Sequence, residues 1–340
     1  MKKMRMMLLI CALASLASAQ TSEFIPEMPT PSCHASTIVE LSNGRLLAAW
    51  FGGTKEGAPD VAIWMSRRTE KGWSAPRELA REPQVATYNP VLFHSPDGLL
   101  WLYYKFGNSP STWSAARKYS RDEGVTWSDV EHLPAGLYGP IRAKPLLLPD
   151  GTILSGTSVE SYGTWACWIE RSTDHGRSWS RIGPIAAPAL LASRPPAHGK
   201  PQGIIQPSLI DMGHHHIRLY ARSTDNIARI CQSDSLDDGR TWSTVTATAL
   251  PNPNSGIDTV RLHDGRLVMI YNNATSGRTP LNLAVSTTGE QWQVFRNLET
   301  DRGEYSYPAM LQARNNDLLI TYTWNRVKIR FLRLPLSQVP

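Results

Sequence analysis

Six groups of polar residues recur along this 340-residue chain, each just ahead of an apolar run. In order they are His34, Tyr88-Asn89, Arg142 with Lys144, Gln206, Asp258, and Glu304-Tyr305-Ser306-Tyr307. A strand entering a core favours apolar residues at its start, so polarity recurring at one phase marks a shared surface. The residue types fit one kind of chemistry. A neutral imidazole such as His34 can act as general acid or base near pH 7, or hydrogen-bond a substrate hydroxyl. Guanidinium groups fork onto carboxylate oxygens. Acids, amides and phenols at the same rim reach the hydroxyls of a sugar. Lys55, Glu56 and Lys144 add polar contacts or stand as solvated loop residues.

These groups need elements to position them, and each one opens a β-hairpin. The hairpins are Ala35–Phe51 around Asn43-Gly44, Asn89–Phe106 around Asp97-Gly98, and 143–159 around Asp150-Gly151. The later three are 206–222 around Met212-Gly213, 257–273 around Asp264-Gly265, and 306–324 around Asn316-Asp317. Asn-Gly and Asp-Gly accept the positive φ angles of tight hairpin turns. The turns lie 54, 53, 62, 52 and 52 residues apart. A period near fifty, built from hairpins without helical periodicity, predicts an all-β, six-bladed β-propeller over residues 20–340. The innermost strands then line a central channel, and the six polar groups meet at one face of it. The chain after Tyr322 reads as one more strand, paired beside the N-terminal segment and closing the ring.

A second repeat runs in phase. Ser120 to Trp127, Ser172 to Trp179 and Ser235 to Trp242 share the form Ser-x-Asp-x-Gly-x-Thr/Ser-Trp; Ser66 to Trp73 and Ser286 to Trp292 are eroded copies. This is the Asp-box, a structural device. Its Asp accepts backbone N–H bonds within the turn, and its Trp packs between blades. Asp122, Asp174 and Asp237 are therefore expected on the outer rim, away from the pocket. Five of the twelve tryptophans of the chain stand in these copies.

The first nineteen residues have the form of a secretory signal: basic Lys2, Lys3 and Arg5, an apolar run, then Ala17-Ser18-Ala19. Export, with cleavage near Ala19, is the expectation, and the run is too short for a membrane anchor. Without those three cations the chain holds 32 basic against 29 acidic side chains, too slight an excess to attract nucleic acid. Cys33, Cys167 and Cys231 then remain, an odd number with no Cys-x-x-Cys pair, and are expected as buried small apolar residues. His214-His215-His216 lies at a hairpin turn without the carboxylate or cysteine spacing of a metal site.

With its Asp-boxes, hairpins of this length and apparent signal peptide, the chain resembles the sialidase (neuraminidase) superfamily over nearly all its mature length. The resemblance implies a glycosidase that uses water and no cofactor. It further implies three arginines that hold the substrate carboxylate, a tyrosine nucleophile assisted by a Glu, and an Asp acid/base. By position, Arg222 and Arg278 match two of the arginines, Tyr305 in Tyr305-Ser306 the nucleophile, and Asp60 the acid/base. Two places depart from the pattern. His34 stands where the family has its first arginine, and Gln206 replaces the Glu. Gln cannot accept a phenol proton. Glu304 could, but strand neighbours point to opposite faces. The expected catalytic set is Tyr305, Asp60, His34 and Glu304. The expected substrate contacts are Arg222, Arg278, Gln206, Asn89, Arg142, Asp258 and Tyr307. The expected activity is exo-hydrolysis of a terminal acidic sugar from a glycan. The alternatives are a glycosidase for another sugar (uronic-acid-linked or deoxy) that uses His34, and a non-catalytic glycan-binding propeller.

Overall fold

A computed structural model of the chain describes residues 20–193 and 199–340. The apparent signal sequence lies outside the described residues. Among the described residues strands dominate, and the helical content is one α-helix, Pro188–Ser193, with two 3-10 turns.

The strands form six antiparallel groups of four or five. The first runs Ser32–Glu40, Leu46–Gly53, Ala62–Thr69, then Gly72–Trp73 and Arg77–Ala80. The second runs Thr87–His94, Leu100–Phe106, Ser114–Ser120, Glu131–His132. The third comprises Leu146–Leu147, Ile153–Glu160, Thr164–Ser172 and Ser180–Ile185; the fourth Gln202–Gly213, His216–Ser223, Arg229–Ser235 and Thr246–Pro251. These two are joined by a short parallel pairing, Thr164 with Gln202 and Trp165 with Gly203. The fifth runs Asp258–Arg261, Leu267–Asn272, Leu281–Ser286, Gln293–Glu299. In the sixth, Tyr305–Gln312, Leu318–Trp324 and Lys328–Leu334 are flanked by the N-terminal strand Thr21–Phe24. The pairing of both chain ends matches the sequence expectation. The last strand itself begins later than expected, because Thr323 and Trp324 belong to the preceding strand and the chain turns at Asn325–Val327.

Every expected hairpin forms, with two turns displaced; in the sixth group the turn lies one residue early, at Asn315-Asn316, with φ of +72° at Asn316. In the fourth group the tight turn falls at His214-His215, with φ of +54° and +63°, between the paired residues Gly213 and His216. The 62-residue interval that departs from the period contains the helix. Apolar side chains fill the spaces between strand groups. One cluster packs Leu47, Phe51 and Ile63 of the first group against Leu92, Leu102 and Tyr104 of the second.

The Asp-boxes build turns as expected. In the second, Asp174 accepts Ser178 N at 2.9 Å and Ser178 Oγ at 2.6 Å, while Trp179 Nε1 donates to Gly176 O at 3.1 Å. The boxes at Asp122 and Asp237 repeat these bonds, and Trp292 keeps the indole bond to Gly289 O in an eroded copy. Boxes also meet the preceding group: Arg67 reaches Glu123 O at 2.7 Å and Arg117 reaches Gly176 O at 2.9 Å. Cys33, Cys167 and Cys231 are buried and unpaired.

One backbone device recurs at the head of the first strands. The pairing register shifts between His34 and Thr37, Tyr88 and Val91, Ile205 and Ser208, and Ser306 and Ala309. The first residue of each bulge, Ala35, Asn89, Gln206 and Tyr307, has φ of +53°, +42°, +55° and +50°. A bulge of this kind re-aims one side chain while the strand continues. Three of the four have proline next, whose ring disfavours the right-handed helical region for the residue before it.

Candidate functional site

The bulges aim Gln206 and Tyr307 at one another. Gln206 Nε2 donates to Tyr307 Oη at 3.1 Å, and Arg222 Nη1 donates to the same oxygen at 2.7 Å. Arg222 Nη1 also reaches Gln206 Oε1 at 3.2 Å, and Arg222 Nε donates to Asn254 at 2.7 Å. Three guanidinium groups stand around the Tyr307 ring: Arg142 and Arg278 at 5.5 Å and Arg222 at 5.8 Å from its centre. The His34 ring lies 4.2 Å from the same ring, and its Nδ1 is 3.0 Å from Thr323 Oγ1. Burial, and then the charges of Arg326, Arg278, Arg142 and Arg222, hold the imidazole well below its usual range, so it is neutral.

Arg278 is oriented by Glu304 at 2.9 Å and Ser306 Oγ at 3.2 Å. Glu304 also accepts Arg326 Nε at 2.8 Å, and Arg326 pairs in turn with Glu56 of the first group. Glu304 therefore stands as an anchor for two arginines. Its oxygen is not turned to the Tyr307 phenol.

Tyr305, expected as the nucleophile, lies elsewhere. Its ring packs with Leu281, Leu283 and Met310 in the core between the fifth and sixth groups, beside Trp324 at 6.3 Å. Its hydroxyl lies toward Glu299, Asp301 and Arg330. Strand alternation sends Tyr305 to that face and Ser306 to the pocket face. Two residues on, alternation alone would return Tyr307 to the side of Tyr305, but the positive φ of the bulge turns it to the arginines.

Asp60 lies in the loop between the strands Leu46–Gly53 and Ala62–Thr69. It is exposed, and its Oδ2 accepts both Thr54 N at 2.9 Å and Thr54 Oγ1 at 2.5 Å. The Thr54 hydroxyl, foremost, holds its carboxyl below the usual range. Within the same loop it is Glu56 that touches the arginine network. Asp258, expected as a substrate contact, is engaged within the protein. It is buried and saturated by Met310 N at 2.8 Å, Thr259 N at 3.0 Å, Ser208 Oγ at 3.1 Å and Lys144 Nζ at 3.1 Å. Arg142 crosses from the third group to Ile257 O at 3.1 Å in the fifth and to Pro308 O in the sixth. Lys144, which also reaches Met310 O, and Arg142 thus tie three groups together beneath Tyr307. Gly256 permits this approach: a Cβ there would lie 3.0 Å from Arg142 Nε and 3.3 Å from Gln206 Oε1. Asn89 is buried at the second bulge. His215 and His216 pair with Asp238 at 2.8 Å and Asp234 at 2.6 Å.

Sequence reasoning missed Glu160, Trp165, Thr323 and Arg326. Glu160 ends the second strand of its hairpin, as Arg222 nearly does in the next group. That shared phase was a usable signal. A surface depression of about 600 Å³ opens at the far ends of the first strands. Its charged groups are engaged: Lys144 on Asp258, Arg261 on Asp211 O, and His263 on Asn316. The chemistry gathers at the Tyr307 end.

Residues 44–320 match the BNR repeat-like domain. This chain is a divergent BNR-repeat protein of the sialidase superfamily. The BNR-repeat protein is 23% identical over 261 residues to the anhydrosialidase of Macrobdella decora, covering 66% of this chain and 32% of that protein. It thus spans about a third of the length of that relative. Its fold is shared with a protein of unknown function from Dyadobacter fermentans (TM-score 0.75, 15% identity, 92% and 98% of the two chains). It is also shared with a Hadza microbial sialidase (TM-score 0.72, 18% identity, 92% and 67%). The intramolecular trans-sialidase of Ruminococcus gnavus, solved with oseltamivir carboxylate, gives a TM-score of 0.69 at 14% identity over 93% and 97%. At 14–18% identity these neighbours show a shared, mostly-β, sialidase-like fold.

Proposed function

We propose that this protein is an exported glycoside hydrolase that removes a terminal acidic sugar, sialic acid or a similar carboxylated residue, from glycans. On this reading the six strand groups are blades closed into a ring by the two chain ends, with the pocket at one mouth of the channel. The observation that carries it is the set of three guanidinium groups within 6 Å of the Tyr307 ring centre. Such charges, pressed together at a partly desolvated site, are costly unless an anion joins them, and a carboxylate meets two donors of one fork at once. Arg222 and Arg278 supply the clamp. Arg142, with its Nη atoms on backbone carbonyls, supplies charge from below. The Tyr307 oxygen faces the space where an anomeric carbon beside that carboxylate would lie. It offers a neutral nucleophile or a lone pair to a developing cation. Water completes the reaction, and no cofactor takes part.

Gln206 favours a second reading within the same class. Its amide donates to Tyr307 where the family places a proton acceptor, so proton transfer follows a different route and the sugar can be a uronic acid or another acidic unit. The test is release of free sugar from a panel of glycans with sialic, uronic and neutral termini. An acidic sugar should appear. Arg278→Lys should weaken binding of that sugar by roughly 1.5–3 kcal/mol, the scale of a charge-assisted hydrogen bond. The carboxylate-reduced analogue should be nearly indifferent to the change. An acid-to-neutral preference unchanged by Arg278→Lys, or release of neutral sugars alone, would sink the reading.

A further inference from the structure

We propose that Glu160 is the proton-transferring carboxyl of this site. The proposal rests on the hydrolase reading and names the acid/base that the reading requires.

Five carboxylates near the pocket or beneath it can be sorted by what their oxygens already do. Asp60 is tied to Thr54, Glu56 to Arg326, Glu304 to Arg278 and Arg326, and Asp258 to four donors. Glu160 differs: it is 9% exposed, and its Oε1 is buried without a hydrogen-bond partner. A buried carboxyl oxygen without a partner carries an uncompensated desolvation cost. Nothing in its surroundings makes that cost a structural necessity. Glu170, buried in the same strand group, shows the structural solution, accepting Tyr138 N and Gly139 N at 2.7 Å each.

The position fits a role at the pocket wall. Glu160 is the last residue of its strand and pairs with Trp165. The Trp165 ring lies 5.9 Å from the Arg222 guanidinium, the group that binds Tyr307. Two residues earlier, Ser158 Oγ accepts Gln206 N at 3.3 Å, so this strand abuts the Gln206 bulge. The charged groups that act on Glu160 are Arg222 and, from the first group, Glu56. Burial dominates over both and raises the carboxyl to about 6. Asp60 is shifted the opposite way, which leaves it ionised and unable to donate. Two carboxyls pushed apart by their environments mark which one carries the proton.

The step balances without another reagent. Protonated Glu160 gives its proton to the glycosidic oxygen as the bond from that oxygen to the anomeric carbon breaks. The bonding pair stays on the oxygen, and the aglycone leaves as an alcohol. The Tyr307 oxygen meets the cation left on the carbon. Water then adds to that carbon and returns a proton to the Glu160 carboxylate.

Glu160→Gln keeps the shape and removes the transferable proton. Two substrates of one acidic sugar separate the roles: an alkyl glycoside, whose leaving group needs a proton, and an activated aryl glycoside, which does not. The expected result is a loss of about 10²–10⁴-fold in kcat/KM for the alkyl glycoside, the range of general acid catalysis, with little change for the aryl one. The alkaline limb of the alkyl-glycoside pH profile should also disappear. Glu160→Asp, which keeps an acid but withdraws it, should fall less. If the wild type is active and both substrates fall together, or neither falls, the assignment of Glu160 is overturned while the hydrolase reading stands. If the wild type releases no sugar from either, the hydrolase reading itself fails and the proton-transfer role goes with it.

Discussion

Gln206 stands between Arg222 and Tyr307 with its amide orientation dictated by both. Its Oε1 takes the Arg222 N–H at 3.2 Å, so its Nε2 must face the phenol oxygen at 3.1 Å. The Tyr307 oxygen therefore accepts two hydrogen bonds, from Gln206 and from Arg222. Its own proton is directed to neither.

The two tyrosines give a direct comparison. Tyr307→Phe should abolish measurable sugar release while the melting temperature changes little, because the ring still packs against His34. Tyr305→Phe should leave kcat within about twofold, since its hydroxyl does not face the pocket. Its effect, if any, is on stability. Equal activity losses in the two variants would contradict the site as drawn.

Gln206→Glu restores an acceptor opposite the phenol. The new carboxylate would pair with Arg222 and could take the Tyr307 proton. If Tyr307 attacks carbon, release from sialosides should rise by about 10²-fold, the lower end of general-base assistance. An unchanged rate would show that deprotonating Tyr307 does not limit turnover.

His34 predicts a pH dependence of stability. Its folded-state titration lies well below that of the unfolded chain, near pH 6.5. Between the two values the unfolded state binds the extra proton. Stability conferred by His34 is thus fully present above pH 6.5 and falls as the pH drops, by up to roughly 1.4 kcal/mol per unit. Glu160 and Glu170, raised by burial to about 6 and about 7, work the other way over the same window. The difference between the wild type and His34→Gln in denaturant melts from pH 7.5 to 4.5 isolates the histidine. A constant difference across that range would count against a buried neutral imidazole.

The Asp-boxes should govern acid resistance and leave turnover alone. Hydrogen bonds, from Thr126 foremost, hold Asp122 down at about 2; Asp237, though partly opposed by desolvation, is held at about 2 by Thr241 and Ser235. Their contribution is present above the ordinary Asp range near 4 and is lost as the pH falls toward 2. Asp174→Ala should lower the melting temperature at neutral pH and flatten its fall below pH 4, with unchanged turnover per folded molecule. A fall in specific activity at an unchanged melting temperature would place this box in the site.

The hairpins and boxes were legible because their signals are local. An Asp-Gly turn or a Ser-x-Asp-x-Gly-x-Thr-Trp string specifies its own backbone. His34, Arg142, Gln206 and Tyr307 were legible from polarity recurring at one phase, and Arg222 and Arg278 from the family resemblance. What alternation could not show was the bulge. Tyr305 reads as the reactive tyrosine from its place in Tyr305-Ser306, and only the left-handed turn at the next position exchanges it for Tyr307. Asp60 and Asp258 show a different limit. Whether a carboxylate is free or spent depends on Thr54, Met310 and Ser208, and in Asp258 the decisive partners come from other strand groups. Glu160 was hidden for the same reason in reverse, its significance being an oxygen that nothing meets.

The four bulges carry a consequence for how this pocket can change. Ala35, Asn89, Gln206 and Tyr307 share one backbone shape but four different side chains. The shape is set by register shift, and in three cases by the following proline, so it does not depend on which side chain it displays. A substitution at Gln206 or Tyr307 alters what faces the arginines without moving a strand. The heads of these first strands therefore behave as a set of sockets. New specificities can be reached by single replacements there, while the sheets that hold the sockets stay under separate selection.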